Sequence, residues 1–149
     1  YQMFHVLSDK IVVVCNKFAS KVFNPLLKNR IIITNVLPSG NFERIGSEVR
    51  DAINEGYNVV VYPENGWMQR QTIYHTVDMK SGMFEISKMY SIPITPIVVD
   101  HIDAKAGILL NSDFNIYVDK TRIVTNTVYE MKMVKQLYER KLRENSFKR

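Results

Sequence analysis

The sequence predicts an α/β fold with a mostly parallel central sheet and flanking helices. Short runs rich in β-branched residues recur along the chain, at 11–15, 31–34, 59–62 and 94–99. Segments with the apolar spacing of helices separate these runs, and strands joined through helices pair in parallel. We therefore expect the strands at 59–62 and 94–99 to be parallel members of one sheet, with Glu64 and Asp100 at the same edge.

The first half of the chain alternates strands and helices. A buried strand at 11–15 precedes a short helix at 18–27, and a second strand occupies 31–34. Asn41 can cap the next helix, which runs to about residue 55 because Gly56 then ends it. These elements are the start of the predicted parallel sheet.

The second half begins with the strand at 59–62 and a helix at 81–90, and Pro93 and Pro96 bracket the strand at 94–99. Three short segments with turn residues between them predict antiparallel edge strands: 107–110, 113–118 and 122–124. A C-terminal helix opens at Thr127 with an apolar stripe of Val128, Met131, Val134, Tyr138 and Leu142. We expect this stripe to pack on the domain up to about Tyr138.

Composition narrows the class of protein. Apolar residues make up 46% and charged residues 23% of the 149 residues, which fits one globular domain and argues against disorder, collagen or coiled coil. One cysteine, Cys15, excludes an internal disulfide framework, and its place in a β-branched run indicates a buried small side chain rather than a nucleophile. With three histidines, we expect no metal site. The apolar runs are far shorter than the roughly 20 residues of a membrane-spanning helix.

Excess positive charge collects at the C-terminus. The net charge is +5, and from Glu130 onward there are seven cations and three acids. Beyond Tyr138, we expect the cations to project into solvent or onto an anionic partner. An anionic membrane surface, RNA or an acidic protein are the partners that such a segment can bind, and a solvated helix face is the alternative.

Three consecutive blocks form the most specific pattern. Residues 59–66 are Val-Val-Val-Tyr-Pro-Glu-Asn-Gly, residues 80–84 are Lys-Ser-Gly-Met-Phe, and residues 92–99 are Ile-Pro-Ile-Thr-Pro-Ile-Val-Val. A strand ending in Pro-Glu, a Lys-x-Gly-x-Phe helix start and a proline-punctuated strand resemble the glycerolipid acyltransferase family, which includes the glycerol-3-phosphate and lysophosphatidic acid acyltransferases. The resemblance covers about residues 56–100, more faintly 11–55, and depends on the order of the blocks.

The resemblance implies a His-x4-Asp pair, in which the histidine takes the proton from an acceptor hydroxyl and the aspartate orients the histidine. The nearest match is His5 and Asp9, which are one residue too close together, and the first predicted strand begins two residues after Asp9. We therefore expect the functional pair upstream of Tyr1, in a single domain, 1–149, that is incomplete at its N-terminus. His75, three residues before Asp78, is interpreted as a loop histidine.

Acceptor binding is implied for residues at or near the family's third and fourth blocks. These residues are Glu64, Asn65, Gly66, Arg70, Lys80, Gly82, Pro93 and Pro96. Asn65 replaces the family's glycine, and no Thr-Arg follows directly, so Arg70 is the nearest cation. Where the family's second block has a phosphate-binding arginine, this chain has neutral Asn35, and Arg44 lies nine residues further on. Structural roles also suit Gly82, as a closely packed helix start, and the two prolines, as strand ends.

The resemblance implies an O-acyltransferase that acts in phospholipid biosynthesis. The resemblance implies an acyl-CoA or acyl carrier protein donor, a lysophospholipid acceptor and no permanently bound cofactor. It implies an intracellular protein that is peripheral to, or anchored at, a membrane. The alternative is a domain of the same fold that has lost catalysis and serves as a structural or binding subunit of a larger assembly. A His-x4-Asp motif encoded before Tyr1 would distinguish the enzyme from this alternative.

Overall fold

A computed structural model describes residues 10–16, 20–21, 30–34, 41–63, 79–101 and 114–146. These ranges contain five strands and three helices of a small α/β protein. The chain divides into two units, Tyr1–Tyr62 and Pro63–Arg149, and the expectation of one domain stays a prediction. Most of the helix predicted at 18–27 and all of the strand at 107–110 lie outside the described residues.

The first unit contains a three-stranded parallel sheet. Strand β1 (Ile11–Asn16) lies between β2 (Ile31–Thr34) and β3 (Asn58–Val61), and both pairings are parallel. Val13 stands opposite Ile31 on one side and Val60 on the other. The four residues at the start of β1 are all buried, as expected for a central strand written as a continuous apolar run. The parallel sheet predicted for this half is confirmed.

Helix α1 (Asn41–Asn54) connects β2 to β3 and packs against both strands. Its buried residues are Ile45, Gly46, Val49 and Ala52. The predicted helix start at Asn41 is confirmed, and Ile45 and Val49 lie on the buried side of the helix. The buried residues of α1 therefore belong to a helix that packs against β2 and β3.

Gly56 ends α1 as predicted. Its φ is +81°, a left-handed conformation that glycine adopts at little cost. The N–H groups of Gly56 and Tyr57 donate to the carbonyls of Ile53 and Ala52, each at 2.9 Å. The N–H of Asn58 then donates to the Lys10 carbonyl at 2.8 Å, which starts the pairing of β3 with β1.

The second unit contains a two-stranded antiparallel sheet of β4 (Ile97–His101) and β5 (Phe114–Val118). Ile94 and Arg122 exchange two further backbone hydrogen bonds, both of 2.9 Å, before β4 begins. The predicted antiparallel strands of the second half are therefore partly confirmed. The expectation that β3 and β4 are parallel members of one sheet is wrong for the described residues, because β3 pairs with β1 in the parallel sheet and β4 pairs with β5 in a separate antiparallel sheet.

Two helices complete this unit, α2 (Gly82–Tyr90) and α3 (Thr127–Ser146). The buried core consists of Met79, Phe84, Val124 and Val134, with Ile94, Met131 and Tyr138 packed against it. The predicted stripe of α3 is correct for the three of these residues that it contains, but Val128 is 78% exposed. Within the described ranges, no helix combines the length and apolarity needed to cross a bilayer.

The packing of α3 extends past Tyr138. The ammonium of Lys141 lies 5.1 Å from the centre of the Tyr117 ring on β5, a cation–π contact. The expectation that every cation after Tyr138 projects into solvent is therefore wrong for Lys141. Its four-carbon stem lets the charge reach back to the sheet.

Candidate functional site

A backbone hydrogen bond joins the two described residues that flank the central block of the candidate site. The N–H of Lys80 donates to the carbonyl of Pro63 at 3.0 Å. Pro63 follows β3 in sequence, and Lys80 stands two residues before α2. The Pro-Glu motif and the Lys-x-Gly motif are separated in sequence, yet this bond joins the first residue of one to the first residue of the other.

Met79 anchors this point and leaves Lys80 accessible. The Met79 side chain is buried in the core with Phe84, whereas Lys80 is exposed. Burial of the residue just before it fixes the backbone of Lys80, because a packed core admits few alternative positions. The arrangement presents an ammonium group at the start of α2, where the helix dipole also favours an anion.

Ser81 and Gly82 stand at the start of α2. Ser81 precedes the helix with φ −72° and ψ −23°, and its side chain makes no capping hydrogen bond. Apart from its two chain neighbours and the backbone of its own helix, no described atom lies within 4 Å of the point where a Cβ on Gly82 would stand. Among the described residues, the close packing that the sequence offered as a structural role for Gly82 is therefore not found.

The two prolines have different surroundings. Pro96 is buried, and its carbonyl accepts a hydrogen bond from the N–H of Asp119 at 2.9 Å, next to the β4–β5 ladder. Pro93 is exposed one residue before the Ile94–Arg122 pair. The geometry of Pro96 matches its structural role, the positioning of β4, and Pro93 is the more accessible of the two.

Arg44 lies at the carboxyl end of β2, which its sequence position did not suggest. Its Nη2 donates to the Ile33 carbonyl at 2.5 Å and to Asn41 Oδ1 at 2.9 Å, and its Nη1 donates to Glu48 at 2.5 Å. Spacing of three and four residues among Asn41, Arg44 and Glu48 is the sequence signal for this cluster. Three of the five guanidinium N–H groups are thus used within the protein, and Glu48 offsets the charge. Through these hydrogen bonds, Arg44 connects the first turn of α1 to the end of β2.

The remaining candidates lie outside the described residues. They are His5, Asp9, Glu64, Asn65, Gly66 and Arg70, together with Asn35 and His75. Of the predicted site residues, Lys80, Gly82, Pro93 and Pro96 are described. Lys80 and Gly82 come together at the start of α2, and the prolines flank Ile94 before β4.

Other chemistry in the described part of the chain is limited. No cluster of three metal-ligating side chains occurs within the described residues. Cys15 is half-buried, and burial raises the pKa of its thiol. The thiol is therefore held in its protonated, weakly nucleophilic form, as its interpretation as a small apolar residue requires.

A surface concavity of about 330 Å³ lies on α3 rather than at the candidate site. Its lining residues are Gln136, Glu139, Arg140, Arg143 and Glu144. These side chains come from the two exposed turns before the end of the helix. Two arginines and two glutamates balance the charge of this lining, and it contains none of the residues that the family resemblance implies.

Comparison with known proteins gives no match to a family model, a curated protein or a solved structure. The resemblance to glycerolipid acyltransferases therefore depends on the three sequence blocks. The described contact between two of these blocks is the hydrogen bond from Lys80 to Pro63.

Proposed function

We propose that this chain carries an acyl-transfer domain. It moves an acyl group from a thioester, acyl-CoA or acyl carrier protein, to the hydroxyl of a lysophospholipid at a membrane surface. The hydroxyl oxygen attacks the thioester carbonyl, the C–O bond forms and the C–S bond breaks. The hydroxyl proton passes through a histidine to the leaving thiolate.

The observation that carries the proposal is the hydrogen bond between Lys80 N–H and the Pro63 carbonyl, at 3.0 Å. It supports the proposal because the Pro-Glu block and the Lys-x-Gly block must act on one substrate in an acyltransferase of this kind. A parallel sheet in the first unit, and a β4 that follows Pro93 and Pro96 in the second, agree with the same order of blocks.

Lys80 and the first turn of α2 are the proposed anion-binding part of the site. An exposed ammonium, helix amides without a side-chain cap from Ser81, and space beside Gly82 that no described residue fills suit a phosphate oxygen. Both the acceptor and a coenzyme A donor carry phosphate. Lys80 is therefore a binding residue, and proton transfer belongs to His5 with Asp9, or to a His-x4-Asp pair encoded before Tyr1.

The state of Arg44 favours a second candidate, a binding domain without catalysis. In an active enzyme with a phosphate acceptor, a free cation is expected near the end of β2, whereas Arg44 already contacts Ile33, Asn41 and Glu48. Such a domain would still bind lipid phosphate at the start of α2.

The test is an acyl-transfer assay on the complete encoded protein, with radiolabelled oleoyl-CoA and lysophosphatidic acid. We expect labelled phosphatidic acid, and a fall of roughly 10-fold in kcat/KM for Lys80→Ala, mostly through KM, because one charge-assisted phosphate contact is lost. Lys88→Ala is the matched control, since Lys88 is an exposed lysine on α2, away from the start of that helix. No product with either CoA or carrier-protein donors, together with retained lysophosphatidic acid binding, would establish the binding domain instead.

A further inference from the structure

The exposed side of α3 is a cationic stripe. Its members recur at spacings of three or four residues, so they lie on one side of the helix. This basic face consists of Tyr129, Lys132, Gln136, Arg140 and Arg143, all of them exposed. The opposite side of the helix packs into the core through Met131, Val134 and Tyr138. The two sides are therefore separate surfaces, and the basic face is not needed to hold the helix in place.

Apolar side chains are uncovered where the basic face begins. Val128 is 78% exposed and Tyr129 60% exposed in the first turn of α3, and Ile123, shortly before it, is 49% exposed. An apolar patch next to cations, with a tyrosine between them, is the composition of helices that lie in a membrane interface. The aromatic ring suits the headgroup level, and the aliphatic side chains suit the acyl boundary below it.

Arg140 of this face is only weakly paired. Arg140 lies 3.9 Å from Glu144, and both side chains are well exposed. Exposed ion pairs of this kind contribute little, so a phosphate can replace the carboxylate. Lys141 is different, because it contacts Glu144 at 2.8 Å and the Tyr117 ring, and it is not a member of the basic face. In sequence, Lys148 and Arg149 continue the positive charge beyond the described residues.

We propose that the basic face of α3 docks on an anionic lipid bilayer. Val128 and Tyr129 enter the headgroup region, while Lys132, Arg140 and Arg143 bind lipid phosphates. Charge complementarity selects an anionic surface, and the adjoining exposed apolar residues select a bilayer, since RNA phosphates would leave Val128 and Ile123 uncovered. This docking does not depend on acyl transfer, so it can hold for an enzyme or for a binding domain.

Vesicle flotation tests the proposal with the full chain. The probes are phosphatidylcholine vesicles with and without 30% phosphatidylserine, at low and high salt. The variant is Lys132→Gln/Arg140→Gln/Arg143→Gln, and the control Lys10→Gln/Lys88→Gln/Lys120→Gln removes the same charge from exposed lysines outside α3. Each interfacial cation strengthens binding roughly fivefold, so we expect the α3 variant to bind anionic vesicles roughly 100-fold more weakly, and the control to lose much less.

Two further variants examine the direction of the effect. Glu139→Gln/Glu144→Gln should strengthen binding to anionic vesicles, because two acids next to the basic face are removed. Val128→Ser/Tyr129→Ser should weaken binding even at high salt, where screening leaves mainly the apolar contribution. Equal losses in the α3 variant and the lysine control would overturn the proposal. So would vesicle binding that survives all α3 substitutions while binding to a single-stranded RNA probe is lost, which would make RNA the partner.

Discussion

The guanidinium of Arg122 and the carboxylate of Glu130 form an ion pair at the start of α3. Glu130 lies in the first turn of the helix and is buried, and Arg122 is also 3.0 Å from Asp119. The backbone of Arg122 exchanges two hydrogen bonds with Ile94. One arginine therefore connects the end of the β4–β5 ladder to α3.

Breaking this pair should destabilise the protein. Glu130→Ala leaves the guanidinium of Arg122, which is 30% exposed, without its buried partner, so we expect a loss of about 2 kcal/mol in the free energy of unfolding. Asp51→Ala is the control, because the Arg50–Asp51 pair, at 3.4 Å, is exposed on both sides and should change stability by less than about 0.5 kcal/mol. Urea unfolding followed by circular dichroism measures both. Losses of equal size would contradict the structural role of Glu130.

Gly56 and Gly82 should respond in opposite ways to replacement by alanine. Gly56 has φ +81°, so Gly56→Ala forces a side chain into the left-handed region and should cost about 1 kcal/mol. Gly82→Ala meets no described atom within 4 Å and adds a better helix former to α2, so it should be neutral or stabilising by up to about 1 kcal/mol. Thermal unfolding of both variants gives the comparison. A destabilised Gly82→Ala protein would show that the space beside α2 is filled.

Cys15 should make stability fall at alkaline pH. Burial raises the pKa of its thiol, so the folded chain holds this proton at pH values where the unfolded chain has lost it. Stability from this group is complete below the ordinary thiol pKa and is lost as the pH rises through the raised value, by at most about 1.4 kcal/mol per pH unit. Unfolding of wild type and Cys15→Val between pH 7 and 10 isolates the effect from other titrating groups. Parallel pH profiles for the two proteins would mean that the thiol is not desolvated.

Local signals predicted the first unit well. The β-branched run of β1, the apolar spacing of α1 and the glycine at position 56 each specify one conformation, and together they give the parallel strands. The pairing of β4 was harder to predict, because an apolar strand bracketed by prolines suits a parallel or an antiparallel partner. Its partner β5 is specified by long-range pairing, such as Val98 opposite Tyr117, which no local pattern contains.

Parts of the candidate site show the same limit. Lys80 and Gly82 could be selected from a motif, but the hydrogen bond from Lys80 to Pro63 depends on how the chain returns. Arg44 seemed too far along the sequence to reach the end of β2, yet a helix that starts beside the strand brings it there. The ion pair of Arg122 with Glu130 was missed, because a charge in a basic C-terminal segment gives no sign that it is buried.

Val128 and Val134 share an apolar stripe in the sequence but have opposite surroundings in the structure, and their substitution should separate them. Val134 is 2% exposed and belongs to the core with Phe84 and Val124. Val134→Ala should therefore cost about 2 kcal/mol, the transfer free energy of the lost methyl groups plus the cavity they leave. Val128 is 78% exposed, so Val128→Ala should leave stability within about 0.5 kcal/mol of wild type. Urea unfolding of the two single variants measures the difference without any lipid present. A large loss for Val128→Ala would mean that another part of the chain covers this side chain, and the first turn of α3 would then not be free to enter a bilayer.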